Sequence, residues 1–349
     1  MEPVTHLLFG ATLARAGLNR KTALATATLT LAAEAPDLDV LGRFHGSVFG
    51  FEHHRGFTHS FLGAFVVAGL ILAFMYGVYL LRRKKYEARY EKLPPRWGLL
   101  FAGAYLASLS HILLDFTNNY GVRPFWPFSG QWYSWDIVFI IEPVLLVLLI
   151  AGLALPGLFS LINEEIGLRS SGPPGRVAAR AALIGVVLLW GVRDYEHRVA
   201  VAALEAQTYQ GSVPLRVAAY PYMANPFKWY GIAETDHAYA QMLVNSLTPE
   251  VDPEGKMTLR AKPDETPVTQ AAKQTPLGRA YLDWAKFPVT EVESSQPEGG
   301  HVEGGYLVRF LDLRYDYFDR RGGRTALGAA VVLDPQLRTV RELFGRAGR

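Results

Sequence analysis

Apolar positions fall into two regimes along the chain. Up to about residue 204 they come in long unbroken blocks, and beyond it they mix with charges in short alternating runs. Ser60–Leu81 holds 22 residues without a charge, about 33 Å as a helix and enough to cross a bilayer. Trp97–Phe116 reads as a second span, Pro143–Ile162 as a third with Pro156 as an expected kink, and Val177–Val192 as a fourth. Val4–Ala33 is apolar but broken by Arg15, Gly17, Asn19, Arg20 and Lys21, which fits two short helices or a re-entrant hairpin better than one span. Further on, Pro214–Tyr222, Phe227–Ala233, Tyr306–Tyr315 and Thr325–Leu333 read as strands, with Arg320–Gly323 as a turn. Gly278–Lys286 reads as a short helix and Val251–Pro276 as a polar loop. The aromatic stretch Asn225–Trp229 is core or a surface contact. The expected architecture is a multi-pass α-helical membrane domain over 1–204, followed by a small α+β extramembrane domain over 205–349.

Basic residues orient the spans. The loop after the first one carries seven of them: Arg82, Arg83, Lys84, Lys85, Arg89, Lys92 and Arg96. It is therefore expected on the cytoplasmic side, as is the loop around Arg169 and Arg176. Ala33–His59 and Thr117–Glu142 carry only Arg43, Arg55 and Arg123 and are expected outside, which puts the C-terminal domain on the extracytoplasmic side. A cleavable signal is not expected, because the first basic residue, Arg15, follows the first apolar run instead of preceding it. The net charge of +3 is small and dispersed, so no nucleic-acid partner is expected. The chain has no cysteine, which excludes thiol catalysis, thiolate metal sites and disulfides.

Histidine distribution changes the picture. Six of the nine precede residue 112: His6, His45, His53, His54, His59 and His111. Asp37 and Asp39 stand at i and i+2, on one edge if the segment is extended. His54-Arg55-Gly56-Phe57-Thr58-His59 ends where a span begins, and His111 and Asp115 stand at i and i+4 on one helix face. Three separate regions thus bring imidazoles and carboxylates to the outer ends of spans, where ionisable groups are costly unless they serve something. Imidazole with carboxylate suits zinc first, and manganese or iron as well. More than four such groups would suit two metals, or one metal with acid–base residues. Glu142, ahead of Pro143, joins the set either as a ligand or as a helix cap. Each piece has a structural alternative: a helix hydrogen bond for His111 and Asp115, a turn for Asp37 and Asp39, a cap for Thr58, an exposed loop for His45, His53 and His54.

The pattern Pro3-Val4-Thr5-His6-Leu7-Leu8-Phe9-Gly10, Pro36-Asp37-Leu38-Asp39, His54-Arg55-Gly56-Phe57-Thr58-His59-Ser60 and His111-x-x-x-Asp115 resembles the YdjM-type membrane-bound metal-dependent hydrolases of bacteria. The resemblance covers roughly residues 1–160. It implies an inner-membrane protein with a divalent metal held by His6, Asp37, Asp39, His59, His111 and Asp115, with His54, Arg55 and Thr58 in catalytic roles. Glu142-Pro143 stands where the pattern would have Asp-Pro. The function expected is hydrolysis of an ester or phosphoester, small or lipid-linked, at the membrane surface, with membrane lipids as partners. The alternatives are a transporter whose His/Asp groups relay protons or metal, and a metal-binding scaffold without hydrolase activity. Arg55 would suit a phosphate oxygen, or a salt bridge to Asp37 or Asp39.

Overall fold

A computed structural model of the protein describes residues 1–89, 93–165, 175–223, 225–294, 304–318 and 327–345. The expected contributions of Lys92 and Arg169 to the basic loops, the Arg320–Gly323 turn and the start of the strand expected from Thr325 lie outside the described residues. The chain divides into two units. One comprises residues 1–38, 55–197 and 221–226, the other 39–54, 198–220 and 227–349.

The first unit is helical. The polar interruption after Arg15 breaks the first apolar stretch into α1 (Pro3–Arg15) and α2 (Ala25–Glu34). They pack closely: a Cβ on Gly10 would stand 2.5 Å from the Leu29 carbonyl oxygen, so only glycine allows this approach. The chain leaves this unit for α3 (Ser47–His53) and returns for α4 (Phe61–Leu81), capped by the Ser60 hydroxyl, which accepts from the Gly63 N–H at 2.9 Å. A short α5 (Arg83–Arg89) leads to α6 (Trp97–Thr117), followed by α7 (Pro143–Glu165), with Pro156 inside it, and α8 (Arg176–Glu205).

Among the described residues three helices are long and apolar enough to cross a membrane: Phe61–Leu81, Trp97–Thr117 and Pro143–Ser160. They are the first three spans read from the sequence; α8, although 30 residues long, is not among them. In α6 56 % of the apolar window is buried, against 22 % and 17 % in the other two, so α6 is the central helix. Its Ala104 and Ala107 meet Ala32, Ala33 and Leu29 of α2 and Ala68 of α4. Leu114 belongs to a second cluster with Phe9, Ile137, Leu145 and Val186. α6 is thus fixed from two sides, which places its polar residues accurately.

The second unit contains two antiparallel sheets. In the first, β1 (Arg216–Pro221), β2 (Lys228–Glu234), β3 (Ala238–Asn245) and β4 (Glu250–Val251) lie in order, with β5 (Thr258–Ala261) also paired to β3. After α9 (Pro267–Lys273) and α10 (Pro276–Trp284), the second sheet runs β6 (Pro288–Ser294), β7 (Tyr306–Asp312), β8 (Ala329–Leu333) and β9 (Thr339–Phe344). The stretch expected as one polar loop, Val251–Pro276, instead holds β5 and α9. Thr266 and Thr269 form a reciprocal capping box that starts α9 in a segment with little apolar periodicity. Trp229, from the aromatic stretch, is fully buried in the core with Ala219, Met242 and Val244. Residues 39–54 belong to this unit through α3, where Phe51 stacks on Phe344 at 4.0 Å and meets Trp284 edge-on at 5.5 Å.

Candidate metal centre

Four side chains from three parts of the first unit converge. Asp37, His59, His111 and Asp115 each present a ligand atom, and these atoms lie within 4.8 Å of one another. His59 Nε2 stands 3.0 Å from His111 Nε2. Asp37 Oδ1 is 3.4 Å from the first and 3.5 Å from the second, and Asp115 Oδ2 is 3.4 and 3.6 Å from the same two atoms. Zinc–ligand distances of about 2.0–2.2 Å place tetrahedral ligands about 3.3–3.6 Å apart; the four imidazole–carboxylate distances fall in that range, and the imidazole pair at 3.0 Å is closer. His59, His111 and Asp115 are fully buried, while the Asp37 side chain is 23 % exposed and marks the open side.

Neighbouring groups set the state of each ligand. His111 Nδ1 lies 2.6 Å from the Ala33 carbonyl and donates its proton there, so Nε2 of the neutral ring turns a lone pair into the cluster. Thr58 Oγ1 lies 3.1 Å from His59 Nδ1 and holds that ring; with Nδ1 donating to the hydroxyl, Nε2 of His59 also turns a lone pair into the cluster. Two imidazole nitrogens at 3.0 Å then need a proton or a cation between them. Burial works against an ionised Asp37, but hydrogen bonding to His111 and His59 holds its carboxyl well below the usual carboxylate range. It is therefore ionised at neutral pH, ready to ligate. The His111–Asp115 distance of 3.6 Å is too long for a hydrogen bond, so the i, i+4 pair does not satisfy itself.

Arg55 fixes Asp115. Its guanidinium meets Asp115 Oδ2 at 2.9 Å and donates to the Gly121 carbonyl at 3.1 Å and to Asn118 Oδ1 at 3.4 Å, while Tyr120 covers it at 4.7 Å. The carboxylate that holds Arg55 is thus Asp115, where the sequence pointed to phosphate, Asp37 or Asp39. Arg55 itself sits at φ +53°, a strained conformation for a side-chain-bearing residue that the surrounding contacts maintain. His6 is fully buried, stacks on His111 at 3.7 Å and brings Nε2 to 3.5 Å from Asp115 Oδ1. Among the described residues neither ring nitrogen of His6 has a hydrogen-bond partner, an arrangement that a nearby cation would relieve. The Met1 amino group also pairs with Asp115.

The remaining candidates stand elsewhere. Asp39 belongs to the second unit and pairs with His54 at 2.9 Å. The segment Ala35–His45 is a 3-10 helix, not extended. At about 120° per residue, positions i and i+2 point to different sides, which separates Asp37 from Asp39. Glu142 lies outside the group; burial pushes its carboxyl up, and Arg193 is the cation that offsets this. His53 stacks on Phe49, and the His45 ring lies tilted against the same ring.

Sequence reading missed Asn118, whose amide donates to Asp115 Oδ1 at 3.4 Å and whose Oδ1 accepts from Tyr120 N–H. A polar pair directly after an apolar span was the available signal. It also missed Glu34. Burial, then repulsion from Asp37 and Glu2, raises its carboxyl to about 7. A raised carboxyl favours the folded state only while protonated. In chelator-stripped protein, stability should therefore fall as pH rises from about 4.5 to 7. Glu34→Gln should flatten that part of a thermal-unfolding series; an unchanged pH dependence would show that Glu34 does not titrate there.

A family model described as YdjM inner membrane protein matches residues 1–200. The protein YfhP of Bacillus subtilis (strain 168) is 24 % identical over 336 residues, covering 90 % of this chain and 87 % of its own. The inner membrane protein YbcI of Escherichia coli (strain K12) is 36 % identical over 116 residues, covering 30 % of this chain and 56 % of its own. No solved structure matches.

Proposed function

The chain belongs to the YdjM inner membrane protein family, and from that premise we propose that it is a multi-pass, metal-dependent hydrolase acting on an ester or phosphoester at the membrane surface. The observation that carries this reading is the convergence of two imidazole nitrogens and two carboxylate oxygens within 4.8 Å, at the ends of apolar helices. Asp37, His59, His111 and Asp115 would hold the metal, zinc by their donor chemistry, with His6 beside them. A divalent cation there supplies Lewis acidity, worth several kcal/mol of charge stabilisation. The chain's own residues do the rest. Ala33 and Thr58 orient the two rings, and Arg55 and Asn118 hold Asp115. The partial exposure of Asp37 leaves a side from which water and substrate can enter.

A second reading, a metal-stabilised scaffold, draws on the same count of four, because four protein ligands close a tetrahedral site. Metal analysis of purified protein, followed by a hydrolysis screen over carboxylic esters and phosphoesters with and without chelator, separates the two. Stoichiometric metal with chelator-sensitive turnover is expected. Metal without any turnover favours the scaffold, and absence of metal sinks both.

The orientation rests on the basic loop and on α8 crossing as a fourth span, since three spans alone would return the chain to the side of that loop. Cysteines introduced singly at the exposed positions Lys85 and Lys256 should react with an impermeant maleimide from opposite sides of the membrane. Reaction of both from one side would overturn the extracytoplasmic placement of the C-terminal region.

A further inference from the structure

Next to the His/Asp cluster the first unit holds a cavity of about 460 Å³, lined by Phe61 of α4, by Leu109, Ile112, Leu113 and Phe116 of α6, and by the loop that follows. Its lining is apolar apart from the Tyr133 hydroxyl, which is engaged with Gln131. A second cavity of about 430 Å³ adjoins it, sharing Phe61, Pro124 and Phe125 as a common wall. Phe61 and Phe125 meet edge-on there, 5.5 Å apart.

Three observations say what such a groove would take. Its helical walls are the ends of two helices apolar and long enough to cross a membrane, so in a bilayer those walls would face lipid. It opens onto their exposed apolar faces, since Leu113, Phe61 and Phe125 are each about two-fifths to one-half exposed, and Phe65 at the edge of the second cavity is 52 % exposed. Finally, it is built on the same turns as the metal cluster. Ile112 follows His111, Phe61 comes two residues after His59, and Val122 follows Gly121, whose carbonyl accepts from Arg55.

We propose that this groove seats a hydrocarbon chain of a membrane lipid whose head group lies at the level of the His/Asp cluster, so that the substrate is an acyl-chain lipid. The proposal rests on the hydrolase reading for the word substrate, but not for the occupancy of the groove. A water-soluble ester would leave the apolar walls wet, whereas a lipid chain covers them at about 25 cal/mol per Å² of area removed from water. Pockets of this size are of the order that holds a chain-like ligand.

The test uses the full chain in nanodiscs containing phosphatidylglycerol with a diazirine in one acyl chain. Photolabelling of residues 109–125 should exceed that of the exposed α7 face around Val147 by about tenfold, a difference of about 1.4 kcal/mol in occupancy. Leu113→Trp, which fills the groove from a position that tolerates bulk, should remove the excess; Val147→Trp should not. Equal labelling around all the spans, or an excess untouched by Leu113→Trp, overturns the proposal. The hydrolase reading is judged separately on the same preparation loaded with zinc. If neither a long-chain nor a short-chain ester or phosphoester is cleaved, that reading fails, and the labelling pattern still decides whether the groove holds a chain.

Discussion

Asp115→Ala is expected to empty the metal centre. The carboxylate would supply one of the four ligand atoms, and it neutralises the buried Arg55 guanidinium at 2.9 Å. Loss of an outer partner of a metal ligand costs about 10–100-fold in affinity, so loss of a ligand itself should cost more than about 100-fold. Breaking a buried ion pair by removing one partner costs about 3–5 kcal/mol, so this variant should also be less stable. His111→Gln separates the two effects. It removes an imidazole ligand and its hydrogen bond to Ala33 but leaves the Arg55–Asp115 pair in place, so metal should be lost with a much smaller fall in melting temperature. Metal content measured on both membrane-inserted variants is the check. Values equal to the parent in both would mean that the cluster is only a buried polar network.

Arg55→Lys should also lower metal occupancy, by about 10–100-fold in affinity, although guanidinium is no ligand. The reason is positional. Arg55 reaches Asp115, the Gly121 carbonyl and Asn118 at once, and the planar fork that does so cannot be copied by the single point charge of lysine. Arg55→Ala should do the same and destabilise further, since Asp115 then lies buried with less compensation. A phosphate clamp makes the opposite prediction: both variants would bind metal like the parent and lose only hydrolysis. Parallel titration of metal and assay of turnover for the two variants distinguishes the roles. Full metal affinity in the lysine variant would refute the positioning role assigned to Arg55.

Several features follow from the sequence alone. Apolar runs of bilayer length predict helices long enough to cross a membrane, and the three described ones, Phe61–Leu81, Trp97–Thr117 and Pro143–Ser160, coincide with runs read directly from composition. Short apolar and aromatic runs likewise mark β1, β2, β7 and β8, most of whose residues are buried. His59, His111 and Asp115 stand out because ionisable groups at the ends of apolar helices are too costly to be incidental.

What the sequence could not decide is which candidates meet. Asp37 and Asp39 are two residues apart and chemically alike, but the 3-10 turn of Ala35–His45 sends one to His59 and His111 and the other to His54. That turn has no local signature as plain as an apolar run. The partner of Arg55 was equally hidden, because Asp115 lies 60 positions away on a helix whose rotation is set by Ala32, Ala68 and Leu145 packed around it. The tautomer of His111 depends on a carbonyl 78 residues distant. Local pattern fixes which segments are buried and which residues are expensive to bury. Only the packing of α2, α4 and α6 fixes the distances of 3.0–3.6 Å that turn four of those residues into one site.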